Sequence, residues 1–145
     1  MKSFPFHFQA DQSDCGPTCL KMVAEFYGKR FHRHQMENWS GILNDGWSML
    51  DIIDTASSLG ITSTGLEINI EHLRLIDLPT ILHWDRYHFV VLFEIQDNFY
   101  FIADPAIGIL KLGKQDFLRH WQIEKDGHYD YGILLTLSVI STNYE

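Results

Sequence analysis

Cys15 lies at the expected start of a helix, a position that activates a thiol. Apolar residues at helical spacing predict a helix from Pro17 to Tyr27 that stops at Gly28. Cys15 would then lie beside the unpaired N–H groups and the positive end of the helix dipole. Both favour the thiolate, which is the nucleophilic form of cysteine. A lone cysteine at this place also suits a small buried residue, so its chemistry depends on the partners that the chain supplies.

A cysteine nucleophile needs a base, usually histidine, and the base needs a group that orients it. Of the eight histidines, His88 begins the strongest strand-like run, HFVVLFEI, which would hold its backbone rigidly. Asp104 ends the next run and would orient the imidazole, and Asp85 is the next candidate for that role. Taken singly, His88 is equally explained as an ordinary histidine at the end of a strand, and Asp104 as an ordinary turn residue.

The hairpin that joins these two runs sets a condition on the pair. With a two-residue turn at 97–98, regular pairing points the side chains of His88 and Asp104 to opposite faces of the sheet. The pair therefore requires a loop with an odd residue count or a β-bulge. Either would place Asp104 opposite Val90 or Leu92, on the same face as His88.

The loop before Cys15 offers a donor for the negative oxygen that develops during acyl transfer. Gln9 would supply a side-chain N–H beside the backbone N–H of Cys15. An exposed glutamine fits the sequence as well, and Asp11 and Gln12 are rival polar residues in the same loop. Asp14 is expected to cap the helix and not to act as a catalytic acid.

The sequence gives only weak signals for a metal or a cofactor. The His-Arg-His run at residues 32–34 and the pair Cys15 and Cys19 contain ligand types, but neither has a second pair at zinc-like spacing. There is no phosphate-cradling glycine loop, dinucleotide fingerprint or Gly-x-Ser-x-Gly elbow. We therefore expect neither a cofactor nor a metal.

Composition excludes several classes of function. The chain has 145 residues, 46% of them hydrophobic, which predicts one domain over residues 1–145. Its net charge is −8 and its eleven Lys and Arg are scattered, which argues against nucleic-acid binding. Two cysteines make no disulfide framework and favour a reducing compartment. Without a secretory signal or a run of ~20 apolar residues, the chain is expected to be soluble as given. It would be either a stand-alone protein or a piece of a larger membrane protein.

Helices precede a strand-rich half, which predicts an α+β fold. A short helical turn is expected over His34–Trp39, and a helix that Ser48 caps should end at Gly60. A further helix is expected from about Lys114 to Trp121. Short runs separated by turn residues predict an antiparallel sheet, namely residues 61–67, TILHW, HFVVLFEI, FYFIA, GILKL and GILLTLSVI.

Four motifs, in this order, resemble the N-terminal peptidase domain of peptidase-containing ABC transporters, the bacteriocin-processing endopeptidases. QADQSDCGPTCLKMVAEFYGK resembles the family's glutamine–cysteine motif, and GWSMLDIIDTASSLG its second-helix motif. HFVVL resembles its histidine motif, and IADPAIGILKLGKQDFLRHW its aspartate motif. The resemblance covers nearly the whole chain.

The resemblance implies a papain-like fold and a peptidase activity. It makes Cys15 the nucleophile, His88 the base, Asp104 the orienter and Gln9 the oxyanion donor. The family cuts leader peptides after a Gly-Gly pair, while the transmembrane and ATP-binding domains of an ABC exporter carry the released cargo. The implied partner is a precursor peptide with a double-glycine leader. The implied location is cytoplasmic, at the cytoplasmic face of the bacterial inner membrane.

Two features of the chain have no single interpretation from the sequence, namely the groove for the leader and the segment 122–131. The family's amphipathic leader helices need an apolar groove, for which Met22, Phe26 and Met49 are candidates, although core packing explains each of them as well. The segment QIEKDGHYDY, residues 122–131, departs from the family pattern.

Two rival functions are a leader-binding module that does not cut and another Cys-His-Asp hydrolase, such as an amidase or acyltransferase. The filled catalytic positions argue against the non-cutting module.

Overall fold

The computed structural model describes residues 1–30 and 46–139. The α-helices in this part are α1 (Cys15–Phe26), α2 (Met49–Ser58) and α3 (Lys114–Trp121), and a 3-10 helix covers His72–Leu75. The strands are β1 (Ile61–Asn69), β2 (Thr80–Trp84), β3 (His88–Gln96), β4 (Phe99–Asp104), β5 (Gly108–Gly113), β6 (Ile123–Lys125) and β7 (His128–Val139).

All seven strands of the two described ranges join one sheet. Six of them follow the order β1-β7-β2-β3-β4-β5, and β6 pairs with β7 beside this path. Every pairing is antiparallel. The predicted α+β class and antiparallel sheet are therefore confirmed.

Two hydrophobic clusters cover the two faces of the sheet. On one face, α1 and α2 contribute side chains such as Leu20 and Ile52, and on the other α3 contributes Phe117. Successive residues of β3 divide between the clusters, with Val91 in the first and Val90 in the second. Because β3 and β4 are covered on both faces, their ends are held firmly in place.

The predicted cap of α2 is confirmed. Ser48 and Asp51 form a capping box, in which Asp51 N donates to Ser48 Oγ at 3.2 Å and Ser48 N donates to Asp51 Oδ2 at 2.8 Å. Two free backbone N–H groups at the helix start are thereby satisfied.

The start of α1 differs from the prediction. The helix begins at Cys15 and not at Pro17, and Asp14 occupies the N-cap position without a side-chain capping bond. The expected cap by the Asp14 carboxylate is therefore wrong. Its backbone, with φ −96° and ψ 12°, lies outside the extended region from which a side chain usually caps. The N–H groups around Cys15 are consequently free of that carboxylate.

Residues 122–131, which depart from the family pattern, form β6, a turn and the start of β7. Asp126 and Gly127 make the turn, with φ of 50° and 80°. Beyond it, Gly132 lies under the Trp121 ring so closely that a Cβ would overlap the indole. Trp121 Nε1 also donates to Ile133 O at 3.1 Å. The glycine thus lets the end of α3 pack directly on β7.

The helical turn expected over His34–Trp39 lies outside the described residues. No helix in the two described ranges is long and apolar enough to cross a membrane.

Candidate active site

A β-bulge in the β3–β4 hairpin brings the predicted histidine and aspartate onto one face. The pairing is regular next to the turn and shifts by one residue between Leu92 and Glu94. Continuing the shifted register places Asp104 opposite Val90, two residues from His88. The register change that the pair requires is therefore confirmed.

His88 and Asp104 are hydrogen-bonded. His88 Nε2 donates to Asp104 Oδ1 at 2.7 Å, and the same oxygen accepts the backbone N–H of Ala106 at 2.9 Å. Asp104 is only 2% exposed. The two bonds fix the carboxylate at the end of β4, so that it orients the imidazole and leaves Nδ1 free for another partner.

Cys15 meets this pair from the start of α1. Both Cys15 and His88 are the first residues of their elements. Burial lowers the pKa of His88, but hydrogen bonds with Asp104 and Cys15, and their negative charges, outweigh it and raise the pKa from 6.5 to about 9. His88 is therefore cationic at neutral pH, beside the thiol. A cation there stabilises a thiolate and holds a proton that it can give to a leaving group.

The second cysteine has a different environment. Cys19 is fully buried, and its Sγ donates to Phe89 O at 3.3 Å. Burial, followed by the charges of Cys15 and Asp104, raises the pKa of Cys19 well above its usual range. A thiol kept protonated in an apolar core is a poor nucleophile. Cys19 is thus a core residue, and Cys15 is the cysteine in contact with histidine.

Gln9 lies in the segment that precedes α1 and is anchored beside the aspartate. Its backbone N–H donates to the carbonyl of Pro105, the residue after Asp104, at 2.8 Å. Its Nε2 donates to Asp11 O at 2.9 Å, and its buried Oε1 has no partner within residues 1–30 and 46–139. An amide nitrogen carries two hydrogens, so one remains for another acceptor. The rival Asp11 carboxylate is engaged, because it accepts both the N–H and the hydroxyl of Ser13.

Close packing before α2 supports the turn that carries Cys15. Trp47 is buried, and a Cβ added to Gly16 would lie 3.1 Å from Trp47 Cβ. Gly46 has a φ of 86°, and a Cβ there would lie 3.0 Å from Ser13 O. Both glycines therefore permit a close approach of two backbone segments. The only sequence signal for this support was a Gly-Trp pair directly before a helix cap.

The candidate residues for an apolar groove do not form one surface. Met22 is fully buried in the core on the α1 side, so its assignment to a groove is wrong. Phe26 is 46% exposed, and Met49 is half-buried against the same core.

Within residues 1–30 and 46–139, the possible metal ligands do not gather into a site. In the part of the chain that the structure describes, no three His, Cys, Asp or Glu side chains are placed to hold an ion. The His-Arg-His run at residues 32–34 lies outside that part.

The α+β fold, with a cysteine at a helix start and a histidine on the adjoining sheet, defines a papain-like cysteine peptidase. The chain belongs to the peptidase C39 family, whose model matches residues 3–125.

Known proteins support this membership. The colicin V secretion/processing ATP-binding protein CvaB of Escherichia coli is 31% identical over 117 residues, covering 81% of this chain and 17% of that protein. The lactococcin-G-processing and transport ATP-binding protein LagD of Lactococcus lactis subsp. lactis is 28% identical over 120 residues, covering 79% and 17%. The chain thus spans about a sixth of the length of these two relatives.

Solved structures give the same fold. A double glycine motif protease from an AMS/PCAT transporter, in complex with the leader peptide, matches with a TM-score of 0.83 and 28% identity, covering 95% of this chain and 93% of that one. The peptidase domain of Streptococcus ComA, a bi-functional ABC transporter, matches with a TM-score of 0.77 and 22% identity, covering 95% and 100%. The second likeness supports the fold alone.

Proposed function

We propose that this chain is one peptidase domain, over residues 1–145, that cuts double-glycine leader peptides from exported peptide precursors after the Gly-Gly pair. The observation that carries the proposal is the meeting of Cys15, His88 and the buried Asp104 at the ends of α1, β3 and β4. Cys15 is the nucleophile, His88 the acid and base, and Asp104 the orienter.

The reaction proceeds by acyl transfer to sulfur. The Cys15 thiolate attacks the carbonyl carbon of the scissile bond, and the carbonyl oxygen becomes an oxyanion. The C–N bond then breaks as His88 gives its proton to the leaving amine, which releases the cargo and leaves a thioester. Water next attacks the thioester while His88 takes its proton. The leader leaves as a carboxylic acid, and the thiolate and imidazolium are restored.

Gln9 stabilises the oxyanion in this proposal, together with the backbone N–H of Cys15. Its anchor on Pro105 ties the donor to the same strand end that carries Asp104. Because the donor is fixed before substrate binds, it does not have to reorganise during the reaction.

The proposed partners follow from the relatives. The printed names of CvaB and LagD describe processing together with secretion or transport, and the AMS/PCAT protease was solved with a leader peptide. We infer that the substrate is a bacteriocin-like precursor and that the transmembrane and ATP-binding domains of an ABC exporter act with this domain. The domain would then work at the cytoplasmic face of the inner membrane.

Peptide cleavage tests the proposal against its rivals. Synthetic precursors carry a leader, the Gly-Gly pair and a short cargo, and matched peptides have both glycines replaced by valine. We expect mass spectrometry to find cleavage after Gly-Gly in the first set alone. Cleavage of both sets would favour a broader amidase, and tight binding without cleavage would favour a binding module.

The oxyanion role of Gln9 has its own test. Gln9→Ala should lower kcat by about 10²- to 10³-fold with little change in KM, since the donor acts in the transition state. Gln12→Ala, an exposed glutamine of the same loop, is the matched control. Equal activity of the two variants would remove Gln9 from the mechanism.

A further inference from the structure

The turn between β2 and β3, residues 85–87, lies directly before His88 and is unusually well fixed. Asp85 and Arg86 have φ of 49° and 72°, a left-handed conformation that residues with a side chain adopt at a cost. Such strain persists only where the surroundings hold the backbone in place.

Contacts with α3 and β2 hold the backbone of this turn in place. Asp85 N donates to His120 O at 2.8 Å, and His120 Nδ1 donates to Asp85 Oδ1 at 2.7 Å. The His120 ring is stacked on Trp84, with centroids 5.0 Å apart. His83 hydrogen-bonds with the backbone of Arg86. The turn is therefore tied to the sheet and to the end of α3.

The side chains that this turn presents are nevertheless exposed. Tyr87 is 90% exposed, and Arg86 has no salt-bridge partner among the residues that the structure describes. Beside the turn is a pocket of about 300 Å³, lined by Asp85, Arg86, Arg119, His120 and Gln122. His120 engages the Asp85 carboxylate, and Asp116 engages Arg119 at 2.9 Å. Among the residues that the structure describes, the guanidinium of Arg86 is thus the charged group of this pocket without a salt-bridge partner.

The role of His88 determines which part of a bound substrate would lie next to this turn. The residue that protonates the leaving amine must touch it, so the peptide just beyond the scissile bond emerges beside His88. Arg86 lies two residues before His88, so the Cα atoms of the two residues are no more than about 7 Å apart. The second or third residue after the cut bond reaches the same distance.

We propose that the β2–β3 turn and its pocket accept an acidic side chain at the second or third position after the scissile bond. Arg86 pairs with that carboxylate, and the exposed Tyr87 ring covers the peptide backbone next to it. The proposal rests on the proposed function, because it assumes that His88 faces the leaving group. It assigns the protein a preference for the start of the cargo, in addition to the leader.

Charge exchange on both partners tests this preference. Precursor peptides share one leader and Gly-Gly pair and carry Glu, Ala or Lys at the second and third cargo positions. For the unsubstituted protein at low salt, we expect kcat/KM for the Glu peptide to exceed that for the Lys peptide by about threefold to tenfold. The ratio should shrink at high salt, as exposed ion pairs are screened. Arg86→Glu should invert the ratio.

Two further variants make the result specific. Lys111→Glu makes the same change in net charge on β5, three strands from β2, and should keep the original ratio. Tyr87→Ala should raise KM for all three peptides alike. A ratio near one, or a ratio that Arg86→Glu does not change, would overturn the inference while the proposed function stands. Cleavage of none of the peptides would overturn the proposed function and the inference with it.

Discussion

Residues 1–30 and 46–139 contain two histidine–aspartate pairs with the same hydrogen-bond distance in different surroundings. His88 with Asp104 and His120 with Asp85 are each joined at 2.7 Å. In the first pair the imidazole is 21% and the carboxylate 3% exposed, and in the second these values are 43% and 51%. The first pair contacts Cys15, whereas the second stacks on Trp84 and fixes a turn.

The distance between two partners therefore does not define their role. A buried carboxylate acts on its histidine through a low dielectric and keeps one orientation, while an exposed pair is screened by water. We propose that the Cys15 thiol is the third group of a catalytic set with the buried pair, and that the exposed pair serves to fix the turn before His88.

The largest expected effect comes from removing the thiol beside the buried pair. Cys15→Ala should reduce kcat for a Gly-Gly peptide by about 10⁴-fold or more, because no other group of the site can form the thioester. Cys19→Ala is the matched control, one turn along the same helix, and should keep activity with a lower thermal midpoint. Loss of cleavage in Cys19→Ala and its retention in Cys15→Ala would reverse the assignment.

The next largest effect is expected from replacing the aspartate of the buried pair, and the same replacement in the exposed pair is its comparison. Asp104→Asn should lower kcat by about 10²- to 10⁴-fold, because the imidazole loses its orienting charge. It should also lower the pKa of His88, measured by NMR titration of the ring. Asp85→Asn should lower kcat by far less and keep that pKa, since Asp85 is not among the groups that raise it. Equal losses from the two substitutions would end the distinction between the pairs.

The pKa of His88 also predicts how stability depends on pH. This pKa is 6.5 in the unfolded chain and about 9 in the folded protein, so the folded state holds the proton more tightly. The contribution is complete below pH 6.5 and is lost as pH rises to about 9. Relative to His88→Asn, the protein should lose a few kcal/mol over this window in urea unfolding. A difference that stays constant with pH would contradict the raised pKa.

The same proton predicts an upper pH limit for catalysis. As the pH rises through about 9, His88 loses the proton that the leaving amine needs, so kcat/KM should fall on the alkaline side. A pH–rate profile over pH 6 to 10.5 measures this limb. A profile that stays flat to pH 10.5 would mean that another group protonates the leaving amine.

Metal removal should have the smallest effect. Neither pair belongs to a group of three potential ligands in residues 1–30 and 46–139, and the proposed chemistry uses a thiol and an imidazole. Cleavage rates in EDTA should match those without it. Activity that EDTA removes and zinc restores would argue against the thiol mechanism.

Much of the fold could be predicted from the sequence, because local sequence patterns determine many of its helices and strands. The Ser48 cap, the helix over Lys114–Trp121 and the strand runs follow from capping chemistry and from the period of apolar residues. The site was partly predictable as well, since the alternation of side chains along the hairpin imposes a parity condition on His88 and Asp104.

The remaining features depend on tertiary packing. No local pattern indicates that α1 begins at Cys15. The Gly-Trp pair before α2 is a signal for close packing, but it does not show that Gly16 is the contact of Trp47. The burial of Met22 likewise depends on which face of α1 meets the sheet. The partner of Asp85 could not be predicted either, because His120 reaches it from α3, thirty-five residues away.

Because of the bulge at Phe93, the alignment of His88 with Asp104 depends on the number of residues between them. Because side chains alternate along a strand, adding or deleting one residue between His88 and Asp104 would turn one of them to the opposite face, even if every other residue were kept. Changes of two residues would preserve the alignment. During evolution, this hairpin should therefore change length by even numbers. A relative that keeps the cysteine, histidine and aspartate but differs by one residue here should have lost its peptidase activity.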